Sequence, residues 1–188
     1  VLLGGGRRWF LPAGTFGSSR ADASDYATLP ADLAAGWDLS KGEGALDKGR
    51  DVIADFKKAG FSYAESYADI KGYLGGKNVP DRLLGLFAYG NMNVAVDKIA
   101  KRRNVLLPGT KTFAVDDYHA ADQPMLDEMT TVAINALKQD KDGFVLMVEA
   151  AHIDKQAHLM DPERSVGDVI EFDRAIGVAR DFAESSRG

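Results

Sequence analysis

The stretch "FVLMVEAAHIDKQAH", from Phe144 to His158, decides the fold that the sequence predicts. Its first five residues are all apolar, and a Lys-Asp-Gly turn sequence precedes them. A short continuous apolar run of this kind is typical of a central parallel strand that is covered on both faces. We therefore predict a strand over Phe144–Val148, with Glu149 at its carboxyl end.

Strand-like and helix-like segments alternate along the rest of the chain. Short apolar runs predict further strands at 1–3, 61–64 and 82–88. Helical spacing and cap residues predict helices over 44–60, after Asn91 or Asn93, after Asp122 and after Asp161-Pro162. In the last helix, the residues predicted to face the core are Val166, Val169, Ile170, Ile176, Ala179 and Ala183.

This alternation predicts an α/β fold with a mostly parallel central sheet and helices on both faces. The 188 residues suffice for one sizeable core or two small ones. We interpret 1–188 as a single partial domain, within which residues from about 11 to 43 are rich in Gly, Ala, Ser and Asp. We interpret that stretch as a surface loop or insertion.

Composition limits the classes of partner. The formal net charge is −5, which argues against binding to nucleic acid or to an anionic membrane surface. The chain contains no cysteine, so disulfides, thiolate metal sites and a cysteine nucleophile are excluded.

Three possible metal ligands follow the predicted central strand. Ligands of open parallel sheets bind beyond the carboxyl ends of strands, where Glu149 is expected. Asp154 and His158 are four residues apart, so on a helical turn they project from one face and can share a metal ion. Carboxylate and imidazole suit zinc, and a carboxylate alone suits magnesium. The alternative is a surface Asp–His pair and a capping glutamate.

Four segments in order resemble the alkaline phosphatase family. "EAAHIDKQAH" is similar to its metal-binding segment, in which a histidine follows an aspartate by four residues. The other three segments that match are "VLLGGGRRWF", "LLGLFA" and "QPMLDEMTTVAINAL". The resemblance spans most of the chain and is weakest in residues 11–80.

The resemblance implies roles for single residues. Asp154 and His158 would bind one catalytic zinc, and Glu149 would belong to the neighbouring magnesium site. Lys155 would contact the bound phosphate or its water shell. The implied activity is the metal-dependent hydrolysis of phosphate monoesters through a phosphoenzyme intermediate, with two zinc ions and one magnesium ion in the parent enzyme.

By the same resemblance, the chain corresponds to the middle portion of an alkaline phosphatase. The family's Ser or Thr nucleophile precedes this portion and its remaining zinc ligands follow it, so we expect residues 1–188 alone to be inactive. Family resemblance also implies a homodimeric parent in the periplasm or outside the cell. Two alternatives remain: a non-catalytic metal-binding or scaffold domain of the same fold, and a related phosphodiesterase or sulfatase.

Overall fold

The structure is a computed structural model, and it describes residues 1–20, 49–117 and 119–186. Within these ranges, two short 3-10 turns, Arg7–Trp9 and Lys71–Tyr73, accompany the regular elements. In chain order these elements are β1 (Leu2–Gly4), α1 (Val52–Lys58), β2 (Ser62–Ala64), α2 (Tyr67–Ile70), β3 (Leu83–Leu86), α3 (Ala95–Arg103), α4 (Ala114–Asp117), α5 (Leu126–Leu137), α6 (His152–His158) and α7 (Pro162–Ser185).

Within the described residues, the strands form one parallel sheet in the order β1-β3-β2. The central position of β3 is fixed by its pairing on both sides, where Gly85 lies opposite Leu3 of β1 and opposite Ala64 of β2. Parallel neighbours need long crossover connections, and here α1 precedes β2 and α2 lies between β2 and β3. The predicted α/β class with a parallel sheet is confirmed.

Helices cover both faces of this sheet, as predicted. On one face, Leu83 packs with Met129 and Val132 of α5 and with Ile70 of α2. On the other face, Leu84 and Leu86 pack with Ile53 of α1 and with aromatic rings around it. Each leucine of β3 is almost completely buried, and burial of such a side chain stabilises the fold by about 1.5–3 kcal/mol.

Two helix ends follow the sequence signals. Gly60 adopts a φ of 86° one residue beyond the cap of α1, the left-handed conformation that glycine permits after a helix. At the start of α7, the Asp161 carboxylate accepts a hydrogen bond of 3.0 Å from the Arg164 amide, and Pro162 occupies the first turn.

Two other predicted caps are wrong. Asp122 does not cap α5; instead its carboxylate accepts a hydrogen bond of 2.9 Å from the Ala68 amide in α2. Neither Asn91 nor Asn93 caps α3, because the Asn93 side chain accepts a hydrogen bond of 2.6 Å from Gln123. Tertiary partners therefore outcompete the local ones.

The predicted central strand over Phe144–Val148 is also wrong. These residues form no ladder within the described part of the chain, and Val145 and Met147 are 95% and 85% exposed. Phe144, Leu146 and Val148 are half-buried, so burial alternates along the segment. This is the geometry of an extended segment with one covered face.

The last helix, α7, is rotated relative to the prediction. All six residues that were predicted to face the core are exposed. The buried residues are Asp168, Glu171 and Ala175, which share another face of the helix. That face lies so near α3 that a Cβ added to Gly167 would come within 2.6 Å of the Val96 side chain.

The predicted surface loop over residues 11–43 lies mostly outside the described residues, and residues 11–20 contain turns and no helix or strand. None of the helices in the described ranges is long and apolar enough to cross a membrane.

Candidate functional site

The glycine turn after β1 is hydrogen-bonded to the segment that follows β3. The Gly6 amide donates a hydrogen bond of 2.7 Å to the Gly90 carbonyl, and the Arg7 amide donates one of 3.0 Å to Ala88. A Cβ on Gly5 would lie 2.3 Å from the Gly90 oxygen, so only glycine fits there. The glycine run therefore holds two strand ends in contact.

The Arg7 side chain stabilises this contact between the two strand ends. Its guanidinium is buried and donates hydrogen bonds of 2.8 Å to the carbonyl oxygens of Leu86 and Glu65. The same group lies 5.0 Å from the centre of the Tyr89 ring. Because the Arg7 guanidinium spans β3 and the end of β2, its role is structural, whereas Arg8 faces the adjoining cavity.

A cavity of about 490 Å³ lies beside this turn, between β1, α5 and the segment that contains Glu149. Positive and negative groups both border it, and the rest of its lining is largely apolar, with Leu3, Leu126 and Met129 among the residues. The charged residues that line it are Arg8, Lys98, Glu149, Lys155, Asp168 and Glu171.

Helix α6 brings the predicted zinc ligands together. His158 Nε2 lies 3.5 Å from Asp154 Oδ2, and their side chains are 78% and 80% exposed. Helical spacing thus places both on one face, as the sequence predicts. Glu149 and Lys155 line the cavity, whereas Asp154 and His158 are not among its lining residues.

The sequence profile of the alkaline phosphatase family matches residues 1–187, which is nearly the whole chain. The chain belongs to the alkaline phosphatase family.

Curated relatives agree with this assignment. Alkaline phosphatase 3 of Bacillus subtilis is 35% identical over 150 residues, covering 79% of this chain and 27% of the relative. The repressible alkaline phosphatase of Saccharomyces cerevisiae is 31% identical over 194 residues, covering 99% of this chain and 27% of the relative. The Escherichia fergusonii alkaline phosphatase is 32% identical over 186 residues, covering 98% of this chain and 33% of the relative. The chain thus spans about a third or less of each relative.

One wall of the cavity contains a buried ion pair that the sequence analysis does not predict. Lys98 Nζ lies 2.6 Å from Glu171 Oε1 and also donates to the Pro124 carbonyl at 3.2 Å. The Leu126 amide donates a hydrogen bond of 2.8 Å to the same Glu171 oxygen. These contacts join α3, the start of α5 and α7.

Asp168 is the second buried acid of this wall. Its Oδ1 accepts a hydrogen bond of 3.2 Å from the Ala95 amide at the start of α3, and its Oδ2 has no partner among the described residues. Burial, with a smaller contribution from Glu171, raises the pKa of Asp168 to about 6. Asp168 therefore changes its protonation state in a mildly acidic range.

His152 is half-buried at the start of α6, and its Nδ1 has no hydrogen-bond partner among the described residues. Burial lowers the pKa of His152, and an interaction with the Met92 main chain opposes this effect. The imidazole is therefore neutral at pH 7.

The spacing of Asp168, Glu171 and Ala175 could have revealed this wall. Positions i, i+3 and i+7 share one helix face, and alanine permits close approach of a neighbouring helix. The apolar stripe of α7 is the stronger local signal and indicates the wrong face, because apolar residues are buried more often than acids.

The described ranges contain no arrangement of three or more His, Asp or Glu side chains that could hold a metal ion. Asp154 and His158 supply two donors of the kind that zinc binds, and zinc sites in proteins use three or four. Glu149 does not join them and lines the cavity instead.

Proposed function

We propose that this chain contributes to the metal-dependent hydrolysis of phosphate monoesters, through a phosphoenzyme intermediate in the full-length parent. One observation supports this proposal most directly. The Asp154–His158 pair is formed at 3.5 Å on a short helix beside the cavity, in a chain of the alkaline phosphatase family.

The donor chemistry fits the proposed ions. Asp154 and His158 would hold zinc, and Glu149 would contribute to a magnesium site. Bound divalent ions would supply Lewis-acid stabilisation of phosphoryl oxygens. Lys155 lines the cavity, where its ammonium group would contact the anionic oxygens of the phosphate directly or through water.

We also propose that residues 1–188 are inactive alone. A catalytic zinc site uses three protein ligands, whereas α6 presents two. Thr130 lines the cavity, but its hydroxyl donates a hydrogen bond of 2.8 Å to the Leu126 carbonyl, and we assign no nucleophile among the described residues. By family resemblance, the active parent would be a homodimer in the periplasm or outside the cell.

A chimera tests the proposed activity. Residues 1–188 would replace the corresponding segment of the Bacillus subtilis alkaline phosphatase 3, and hydrolysis of p-nitrophenyl phosphate would be measured with zinc and magnesium. We expect a folded chimera to be active, because the inserted residues 1–188 would supply metal ligands equivalent to those of the segment they replace. Asp154→Ala should lower kcat/KM by about 100-fold or more. The variant loses a zinc ligand, and with it the polarisation of the phosphoryl group by the bound metal.

Glu163→Ala is the matched control, because Glu163 is an exposed acid on the first turn of α7. It should retain the activity of the chimera. A chimera that folds by circular dichroism and hydrolyses nothing would refute the proposed function. An Asp154→Ala chimera as active as its parent would refute the residue assignment.

A further inference from the structure

Helix α6, which carries the proposed zinc ligands, ends in a strained turn. Met160 has a φ of 54°, in the left-handed region that favours glycine. Its amide donates a hydrogen bond of 3.0 Å to the Ala157 carbonyl. The next amide, that of Asp161, donates one of 3.0 Å to the Gln156 carbonyl. These two bonds form a Schellman motif, in which a residue other than glycine persists only where surrounding contacts hold it.

Asp161 belongs to both helices at this corner. Its amide closes the last turn of α6, and its carboxylate caps α7 by accepting a hydrogen bond of 3.0 Å from the Arg164 amide. The same carboxylate accepts a second hydrogen bond, of 2.8 Å, from the Arg164 guanidinium. The Arg164 side chain is therefore attached to the residue that ends α6.

The Arg164 guanidinium also contacts α3. Its Nη2 donates a hydrogen bond of 3.1 Å to Asp97 Oδ1, and its Nε donates one of 3.3 Å to the same oxygen. Asp97 lies in the first turn of α3, and its side chain is only 9% exposed. A guanidinium suits this place, because its planar fork of five donors binds two carboxylates at once. Arg164 thus connects the end of α6 to a buried acid of α3.

This connection matters most for His158, two residues before Met160. The His158 side chain is 78% exposed, and its acidic neighbour at 3.5 Å, Asp154, lies on the same helix. A contact within one helix does not determine where the end of that helix points. The direction of the last turn of α6 therefore depends on the corner at Asp161 and on its attachment to α3.

We propose that Arg164 is a positioning residue for the zinc site: by joining Asp161 to Asp97, it fixes the end of α6 and keeps His158 aligned with Asp154. Arg164 does not line the cavity, so it acts through the corner between α6 and α7. The inference rests on the proposed function, because it assumes that α6 carries zinc ligands. A purely structural role would stabilise the fold and leave the zinc affinity of the folded protein unchanged.

Zinc affinity of the Bacillus subtilis chimera tests this inference. The metal-free chimera would be titrated with zinc against a fluorescent chelator, and the zinc ion that Asp154→Ala loses would identify the site. We expect Arg164→Met to weaken zinc binding at this site by about tenfold or more, as the loss of groups that orient metal ligands does. At saturating zinc, kcat should return to near the wild-type value, because both ligands are still present.

Two substitutions serve as controls for the loss of charge. Arg180→Met changes an arginine of the same helix that is 68% exposed and whose acidic neighbours, Asp181 and Glu184, also belong to α7. It should keep the wild-type zinc affinity. Arg164→Lys retains the charge without the planar fork, so it should restore part of the affinity that Arg164→Met loses.

Asp97→Asn tests the attachment to α3. It should weaken zinc binding about as much as Arg164→Met. The double variant should bind zinc within about twofold of Arg164→Met alone, because both changes break the same contact. Additive losses would show that the two residues act separately and would overturn the proposal.

Hydrogen exchange of the metal-free chimera gives a readout that needs no zinc. Mass spectrometry should show exchange in residues 156–161 faster by about tenfold or more in Arg164→Met, and unchanged in Arg180→Met. Exchange at the wild-type rate in Arg164→Met would overturn the proposal. Circular dichroism would verify folding, and Asp97→Asn and Arg164→Lys provide the test if Arg164→Met unfolds.

The zinc titration separates this inference from the proposed function. If Arg164→Met binds zinc as tightly as the wild type while Asp154→Ala loses it, the positioning role is overturned and the proposed function stands. If Asp154→Ala retains all of its zinc, the ligand assignment fails and the positioning role fails with it.

Discussion

Two apolar runs of this chain, Leu83–Leu86 and Phe144–Val148, have similar sequences and different structures. The first is the central strand, paired on both sides and at most 1% exposed at each leucine. The second is unpaired within the described residues, and Met147 is 85% exposed. The difference shows that a central strand is defined by its neighbours as much as by its own residues.

The contrast extends to the helices. Helix α5 covers the sheet with apolar side chains, whereas α7 turns Asp168 and Glu171 inward and leaves its apolar stripe exposed. The region around β3 is therefore stabilised mainly by apolar burial. The region after residue 143 is held to it by buried polar contacts.

The largest effect should come from breaking the buried ion pair that holds α7. Lys98→Met leaves Glu171 buried without its cation, and we expect a loss of about 3–5 kcal/mol in the free energy of unfolding. Lys101→Met is the control, because its partner Asp116 is exposed and the expected loss is below about 1 kcal/mol. Urea denaturation would measure both. Equal losses would show that α7 is not held by this pair.

The next effect compares the two apolar runs directly. Leu84→Ala removes a fully buried side chain from the sheet and should cost about 2–5 kcal/mol. Val145→Ala alters an exposed side chain, and its effect should lie within about 0.5 kcal/mol. Thermal or urea unfolding of the two variants would measure this difference. A large loss on Val145→Ala would mean that residues 144–148 are covered in solution.

A smaller effect tests the glycine turn that joins both regions. Gly5→Ala should lower the free energy of unfolding by about 1–3 kcal/mol, because the added Cβ collides with the Gly90 carbonyl. Gly4→Ala is the neighbouring control, since no atom lies within 4 Å of its Cβ position. If both variants unfold at the same denaturant concentration, the close contact between the two strand ends does not form.

The smallest effect is a pH dependence in the polar wall. The pKa of Asp168 is about 6 in the folded chain, above the ordinary aspartate pKa of about 3.9, so the folded state binds the proton more tightly. The stabilisation that proton binding by Asp168 gives the folded state is complete below about pH 4 and is lost as pH rises through 6. Asp168→Asn should remove this pH dependence of the free energy of unfolding, which is at most about 1.4 kcal/mol per pH unit.

Unfolding of both proteins at several pH values between 4 and 7 measures that slope. The stability of the wild type relative to Asp168→Asn should fall as pH rises across this range. If the difference in the free energy of unfolding between the two proteins is the same at every pH in this range, Asp168 does not titrate in a buried position.

The sequence predicts most of the sheet region because its signals are local. Apolar runs at β1, β2 and β3, Gly60 after α1 and Asp161-Pro162 before α7 all act through nearby residues. The Asp154–His158 pair was predictable for the same reason, since helical periodicity alone brings the two side chains together.

The remaining features depend on partners that are distant in sequence. The pairing state of Phe144–Val148 depends on a neighbouring strand, and the rotation of α7 depends on Lys98, 73 residues before Glu171. Asp122 forms its hydrogen bond with Ala68, 54 residues away, rather than at the helix beside it. Local patterns contain no information about such partners.

The central claim is that Asp154 and His158 are zinc ligands, and calorimetric titration of the 188-residue chain with zinc tests it most directly. We expect weak, saturable zinc binding by the wild type, because Asp154 and His158 supply only part of a zinc site. Asp154→Ala and His158→Ala should each abolish it. His119→Ala should leave it unchanged, because the His119 ring lies outside α6 and packs edge-on against Phe16. Wild-type zinc binding by the Asp154→Ala and His158→Ala variants, or no binding by the wild type, would contradict the claim.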